Sequence, residues 1–292
     1  MENVTARDVG FLLFLTLLNI LNYVDRQLLA SFANWIVPEL ELTNTQFGLL
    51  TGLVFIFFYA VMGLFMGALA DRLNRTRLIA GGLALWSALT ALSGLARGFV
   101  SLAIPRMFIG VGESILTPAS LSLIGDRFPA KWQGAAMGVF GLGVPIGVGL
   151  SLFVVAYLEP IFGWRGCFYL LGAIGVVLAG VMLFMKEPRR ITQDLDAELT
   201  KPSVKEIVQT LVSALKHSLA LKMTIFGGVA FTFMLGAGVF EQLWFAQERG
   251  FERTEIARIT AWYAILGGVA GTLFGGYGGD LFLRKTGIGR PT

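Results

Sequence analysis

The chain has almost nothing with which to hold a metal, a disulfide or a covalent intermediate. It contains one cysteine, Cys167, and one histidine, His217. A single thiol cannot close an internal disulfide, and one residue of each kind cannot make a usual zinc site. Cys167 reads as a small apolar residue in an apolar run, and His217 follows Lys216 in a polar stretch, where it is solvated. No grouping of nucleophile, base and orienting residue stands out. An integral-membrane enzyme is therefore only a remote alternative, and no cofactor is called for. Charge is scarce too: Asp, Glu, Lys and Arg make up 14% of the chain, against about 25% in soluble domains.

Apolar surface takes the place of charge. Hydrophobic residues are 55% of the chain and the mean hydropathy is +0.72. The 37 glycines would weaken soluble helices, but membrane helices use them to bring backbones close together. A helix that crosses a bilayer needs about 20 mostly apolar residues. Eight such runs can be read, at 11–32, 47–69, 78–96, 99–124, 134–157, 164–185, 223–246 and 256–279. The first is a retained span and not a cleaved leader. Its flank carries Glu2 and Asp8, the run is long, and no small-residue cleavage site follows it. The expected fold class is an all-α membrane protein.

Connections are short except for 186–222, which is charged. Within it, Pro202 and Ser203 followed by Glu206 resemble a capping box. Val204, Ile207, Val208, Leu211, Val212 and Leu215 then recur at helical spacing, which predicts an amphipathic helix at the membrane face. Three parts follow: a six-span bundle over 1–185, a cytoplasmic linker over 186–222, and the start of a second bundle over 223–292.

A net charge of +4 and a pI near 9.3 could suggest nucleic acid, but the placement of the charges argues otherwise. With the N-terminus in the cytoplasm, sixteen of the 23 lysines and arginines fall on the cytoplasmic side. Arg97, Arg165, Arg249, Arg253 and Arg258 fall outside, and Arg26 and Arg106 lie within spans. This is the positive-inside bias of a multi-pass protein. The partner it implies is a lipid bilayer, and the few insertions between spans point to a bacterial inner membrane.

Two stretches repeat. GALADRLNR at 67–75 follows the second span, and GYGGDLFLR at 276–284 follows the eighth on the same side. Gly67 matches Gly276, Asp71 matches Asp280 and Arg75 matches Arg284, at an offset of 209. This predicts two parallel bundles about an axis along the membrane normal, with a site between them. The same offset places the end of a second six-span bundle near 394, beyond Thr292. The expectation is a fragment of a twelve-span protein that needs further C-terminal helices to complete its fold.

These residues resemble the major facilitator superfamily along the whole chain. Gly67, Asp71, Arg72 and Arg75 match its loop signature, with Asn74 at the usual glycine and Arg77 just beyond. Asparagine tolerates left-handed backbone, which would preserve the turn. In the second copy Leu281 and Leu283 replace the basic residue and the glycine. Arg106, Gly110, Gly112 and Glu113 match the fourth-span signature, followed by Pro118. Gly141, Gly143, Pro145, Gly147 and Gly149 resemble the fifth-span signature, where close helix packing and a bend are expected. NYVDRQ at 22–27 together with GVGES at 110–114 is most similar to the spinster-like branch, and the anion:cation symporter branch comes second. The resemblance implies alternating access. The substrate would be an amphipathic lipid or lysolipid, or alternatively a small organic anion moved with protons. It also implies a cytoplasmic gate motif at Gly67, Asp71, Arg72, Arg75 and Arg77, with Gly276, Asp280 and Arg284 in the second copy.

Four charges lie inside these apolar runs. At ~1.5 Å per helical residue, Asp25 sits ~21 Å from the cytoplasmic end of its span, Glu113 ~16 Å and Arg106 ~27 Å. Arg106, Gly110 and Glu113 share one helix face. If spans one and four are neighbours, Asp25 and Arg26 meet Glu113 and Arg106, and the four charges satisfy one another around a cavity. Acids in a membrane span are costly and mark substrate or proton paths. The competing reading is a static network that orients two helices, with Arg106 snorkelling to the outer surface. VFIFFYA at 54–60 is read as lipid-facing.

Overall fold

The computed structural model describes residues 4–188 and 204–286. The side chains of Asp71, of 204–208 and of 276–286 lie outside the described residues, and so do Pro202 and Ser203. This leaves the expected capping box and the gate residues Asp71, Asp280 and Arg284 without a structural account. Among the described residues every regular element is helical. The chain forms two compact units, Met1–Pro188 with Gln242–Thr292, and Arg189–Glu241.

Six helical stretches are long and apolar enough to cross a membrane: Ala6–Ser31, Asn44–Gly67, Phe99–Arg127, Ala130–Leu183, Leu219–Gln247 and Arg253–Gly275. The fourth, at 54 residues, contains two of the runs read from sequence. They divide at Gly163, whose φ of 64° and ψ of 169° interrupt the helix in a region open almost only to glycine. The remaining predicted span is a helix over Arg75–Ser93, whose apolar run is diluted at its start by Arg75 and Arg77.

The first unit opens with α1 (Ala6–Ser31), capped by Thr5 and Asp8 in a reciprocal box. The short α2 (Ala33–Glu39) and α3 (Asn44–Thr51) lead into α4 (Leu53–Arg72), and α5 (Arg75–Ser93) follows. Asn74 is extended at φ −66° and caps α5, its Oδ1 accepting from Arg77 N at 2.9 Å. The left-handed turn expected there is not used, because a cap needs only an extended residue with a side-chain acceptor. Over 276–284 the backbone instead remains within the last helix, so the second copy lacks the break seen in the first.

The fourth passage is α6 (Phe99–Glu113) and α7 (Leu116–Arg127), and the fifth is α8 (Ala130–Gly141) and α9 (Gly143–Phe153). Each breaks three to four residues ahead of a proline, Pro118 or Pro145, which cannot donate to the preceding turn. A π-helical turn at Val154–Leu158 joins α9 to α10 (Glu159–Leu183). Cys167 is buried in α10 as a small apolar residue.

Glycines set the packing. A Cβ at Gly172 would lie 2.5 Å from Ser87 O, so α10 lies directly against the α5 backbone. On α9, Gly143 faces Asn19, and a Cβ at Gly147 would come 2.6 Å from Ile20 O and Tyr23 Cβ. The other face of α9 carries Pro145 and Gly149, which meet Gly268 and Ile265 of the last helix. Gly141 and Gly67 have open space instead, so no close approach depends on them.

The second unit holds α11 (Val204–His217), at the predicted position of the amphipathic helix, and α12 (Leu219–Gly236), followed by a 3-10 turn at Ala237–Phe240. His217 is exposed, with Nδ1 2.8 Å from Ser213 O. Next come α13 (Glu241–Gln247) and α14 (Arg253–Thr286), which packs on α9.

Candidate functional site

The four charges meet where α1, α4, α5 and α6 converge. The glycines of α6 make this possible. A Cβ at Gly110 would lie 2.8 Å from Phe55 O of α4, and one at Gly112 would lie 3.0 Å from Gly82 O of α5. Small residues here let two neighbouring backbones approach the helix that carries Arg106 and Glu113.

Arg26 and Glu113 form an ion pair, with both Nε and Nη2 of Arg26 donating to Glu113 Oε2 at 3.2 Å. Arg26 Nη2 also donates to Asn22 Oδ1 at 3.4 Å. Glu113 is fully buried, whereas the Arg26 side chain is 24% exposed. Three rings enclose the guanidinium, whose carbon lies 4.4 Å from the Tyr59 centroid, 4.8 Å from Tyr23 and 5.2 Å from Phe55. Each such contact contributes about 0.5–2 kcal/mol, more as water is excluded.

Asp25 and Arg106 depart from the expected four-charge square. Asp25 Oδ2 accepts from the Trp86 indole N–H at 3.1 Å. Arg106 pairs with neither acid but donates to main-chain carbonyls, from Nη2 to Arg26 O at 2.7 Å and from Nη1 to Asp25 O at 3.4 Å. It lies 4.6 Å from the Phe55 centroid and is buried, so it does not snorkel outward. The reason is geometric. Adjacent residues on a helix lie about 100° apart, so Asp25 and Arg26 cannot both face the same two partners. Asp25 Oδ1, Glu113 Oε1 and Arg106 Nε have no hydrogen-bond partner among the described residues.

The aromatic part of this site was not read from the sequence. VFIFFYA reads as lipid-facing, and Ile56 and Phe57 are exposed as that requires. Phe55 is buried at 3%, however, and it stacks on Tyr59 with centroids 5.7 Å apart. The i, i+4 spacing of Phe55 and Tyr59 was the available signal. Trp86 offered none, since an indole in an apolar run looks like any other large side chain.

A second charged cluster lies where α4 gives way to α5. Arg75 is buried and donates to Asp126 Oδ2 at 2.6 Å, Ser122 Oγ at 2.8 Å and Glu187 Oε1 at 2.7 Å. It ties the start of α5 to the end of α7 and to the segment after α10. Asp126 and Glu187 were not singled out in the sequence. Arg72 and Arg77 are exposed. Nearby, Arg127 pairs with Asp8 at 2.7 Å and fastens the start of α1 to the end of α7.

Among the described residues no group of three or more His, Cys, Asp and Glu is placed to hold a metal ion. The site is a set of fixed charges enclosed by rings.

Comparison with known proteins agrees with this architecture. The sequence model described as Major Facilitator Superfamily matches residues 15–292. The chain is 31% identical over 281 residues to a hexuronate transporter of Bacillus subtilis, covering 94% of this chain and 65% of that protein. It is 29% identical over 210 residues to a probable sphingolipid transporter, spinster homolog 1, of Arabidopsis thaliana, covering 66% of this chain and 42% of that one. Among solved structures, a bacterial homolog of the human lysosomal transporter spinster, inward-facing and unoccupied, superposes with a TM-score of 0.74 at 29% identity. That match covers 94% of this chain and 63% of the other. The chain thus spans less than two thirds of the length of these relatives.

Proposed function

The chain belongs to the major facilitator superfamily and is a multi-pass integral membrane protein, and from that premise we propose that it serves proton-linked, alternating-access transport of an amphipathic lipid or lysolipid. The observation that carries this reading is the Arg26–Glu113 pair, in which the cation is partly exposed and the acid is sealed off. An anionic headgroup approaching this site reaches Arg26 first and competes for its N–H donors. Glu113 then loses its counter-charge in a buried setting, where a lone carboxylate is strongly disfavoured. Among the described residues its Oε1 accepts no hydrogen bond, which leaves it open to a proton. Headgroup binding and proton uptake are thereby coupled. A state that binds both differs in energy from one that binds neither, which is what shifts a two-state equilibrium. Asp25, held by Trp86 and with an oxygen that has no hydrogen-bond partner among the described residues, is a second proton acceptor in this scheme. Arg106 holds the α1 backbone in place from its carbonyls.

The buried Arg75 cluster serves in this account as the hinge of the cytoplasmic gate, with the N-terminus in the cytoplasm of a bacterial inner membrane. The lipid assignment draws support from the spinster relatives and from the rings around Arg26. A small organic anion is the second reading. It is favoured by the hexuronate transporter match across 94% of the chain and by the fit of a guanidinium to a carboxylate.

The test is flux through the full-length protein that carries this sequence, in proteoliposomes with an imposed proton gradient, using lysophosphatidylglycerol and glucuronate as parallel probes. Gradient-driven lysolipid movement that is lost in Arg26→Gln supports the first reading. Movement of glucuronate alone transfers the role to the second. Movement of neither probe overturns both.

A further inference from the structure

The face of α1 turned away from Arg26 and Glu113 is apolar and borders a groove. Leu17 and Leu21 stand about half a helical turn around from Arg26. With Phe153 and Tyr157 of the π-turn region and Ile174 and Leu178 of α10, they line a cavity of about 360 Å³. Its lining is almost entirely hydrocarbon. Leu17, Tyr157 and Ile174 are also exposed, so the groove opens sideways, toward whatever surrounds the bundle.

We propose that this groove is a binding site for one acyl chain of a bilayer phospholipid, independent of the charged site and of what that site transports. Three observations point to this occupant. All three walls belong to stretches apolar and long enough to cross a membrane, so the medium against the opening is lipid tail. At about 360 Å³ the groove is the size of a small-ligand pocket, which suits one acyl chain and not a bulkier occupant. The third is the wall itself. The π turn at Val154–Leu158 widens the backbone where Val154, Tyr157 and Leu158 line the cavity, and such bulges inside helices recur at functional sites. Tyr157 lies two residues before Glu159, at the end of the passage, where an amphipathic ring suits the level of a lipid headgroup. The chain therefore enters with its headgroup at the Tyr157 end and its tail running toward Leu17.

The experiment is photocrosslinking of the full chain in phosphatidylcholine vesicles doped with phosphatidylcholine that carries a diazirine on one acyl chain. Labelled residues are mapped by peptide mass spectrometry. Adducts should concentrate on 17–24, 150–158 and 171–178, in excess of Phe65, Val100 and Ile104, which lie on α4 and α6 and are more exposed than Leu17 and Ile174. Filling the groove with Leu21→Trp and Ile174→Trp should lower that labelling about tenfold. It should leave labelling at Phe65, Val100 and Ile104 unchanged. Even labelling of every lipid-facing residue overturns the proposal, as does undiminished groove labelling in the filled variant. If the double variant fails to insert, the adduct map of the unaltered chain decides alone.

Discussion

Tyr59 and Phe55 matter at the scale of single residues because a guanidinium that has lost most of its water needs something in water's place. The rings supply their faces to Arg26, and Phe55 touches Arg106 as well. The account therefore separates ring from hydroxyl. Tyr59→Phe should keep transport close to that of the parent, whereas Tyr59→Ala should raise KM by roughly tenfold, the equivalent of about 1.4 kcal/mol of lost cation–π contact. Initial-rate flux measurements on the two variants check this. Asp25, Arg26, Arg106 and Glu113 were legible in the sequence because a charge inside an apolar run is costly enough to need a reason. The meeting of Arg26 with Glu113 was legible, and the contacts of Asp25 and Arg106 were not. Whether Arg106 meets an acid or a carbonyl depends on the rotation of α6 against α1, which spacing within one helix does not fix. Trp86, Phe55 and Tyr59 stayed hidden for a simpler reason. In a membrane helix both faces are apolar, so hydrophobicity no longer says which side looks inward.

At the scale of elements, small residues decide where helices touch. Gly147→Ala places a methyl against Ile20 O and Tyr23 Cβ and should cost about 1–3 kcal/mol as overpacking between α9 and α1. Gly141→Ala, with open space around it, should cost nothing measurable. Thermal unfolding of the two variants in detergent distinguishes them. Gly163→Ala should also destabilise by about 1–3 kcal/mol, because its backbone conformation admits almost no other residue. The bend ahead of Pro145 and the helix at Val204–His217 could be read from sequence, since proline and a polar linker carry local signals, whereas the break ahead of Pro118 was not singled out. The Asn74 cap was misread as a left-handed turn because asparagine serves both roles, and only the direction of the chain after it separates them.

For the whole molecule, the eight apolar runs and the bias of basic residues predict an up-and-down chain with its N-terminus in the cytoplasm. In a Cys167→Ser background, a cysteine at Thr5 should react with an impermeant maleimide only from the cytoplasmic side, and one at Arg97 only from the opposite side. The reverse pattern would invert the topology. The cluster that joins α5, α7 and the segment after α10 could not be foreseen in this way, because Glu187 and Asp126 look like ordinary loop charges until Arg75 is seen buried between them.

The coupling of headgroup and proton through one ion pair is the central claim, and one comparison tests it most directly: gradient-driven flux against equilibrium exchange in Glu113→Gln. The account predicts that proton-driven accumulation is lost while exchange persists at a rate near that of the parent, because Arg26 still binds the anion. Accumulation that still follows the proton gradient in Glu113→Gln would contradict it.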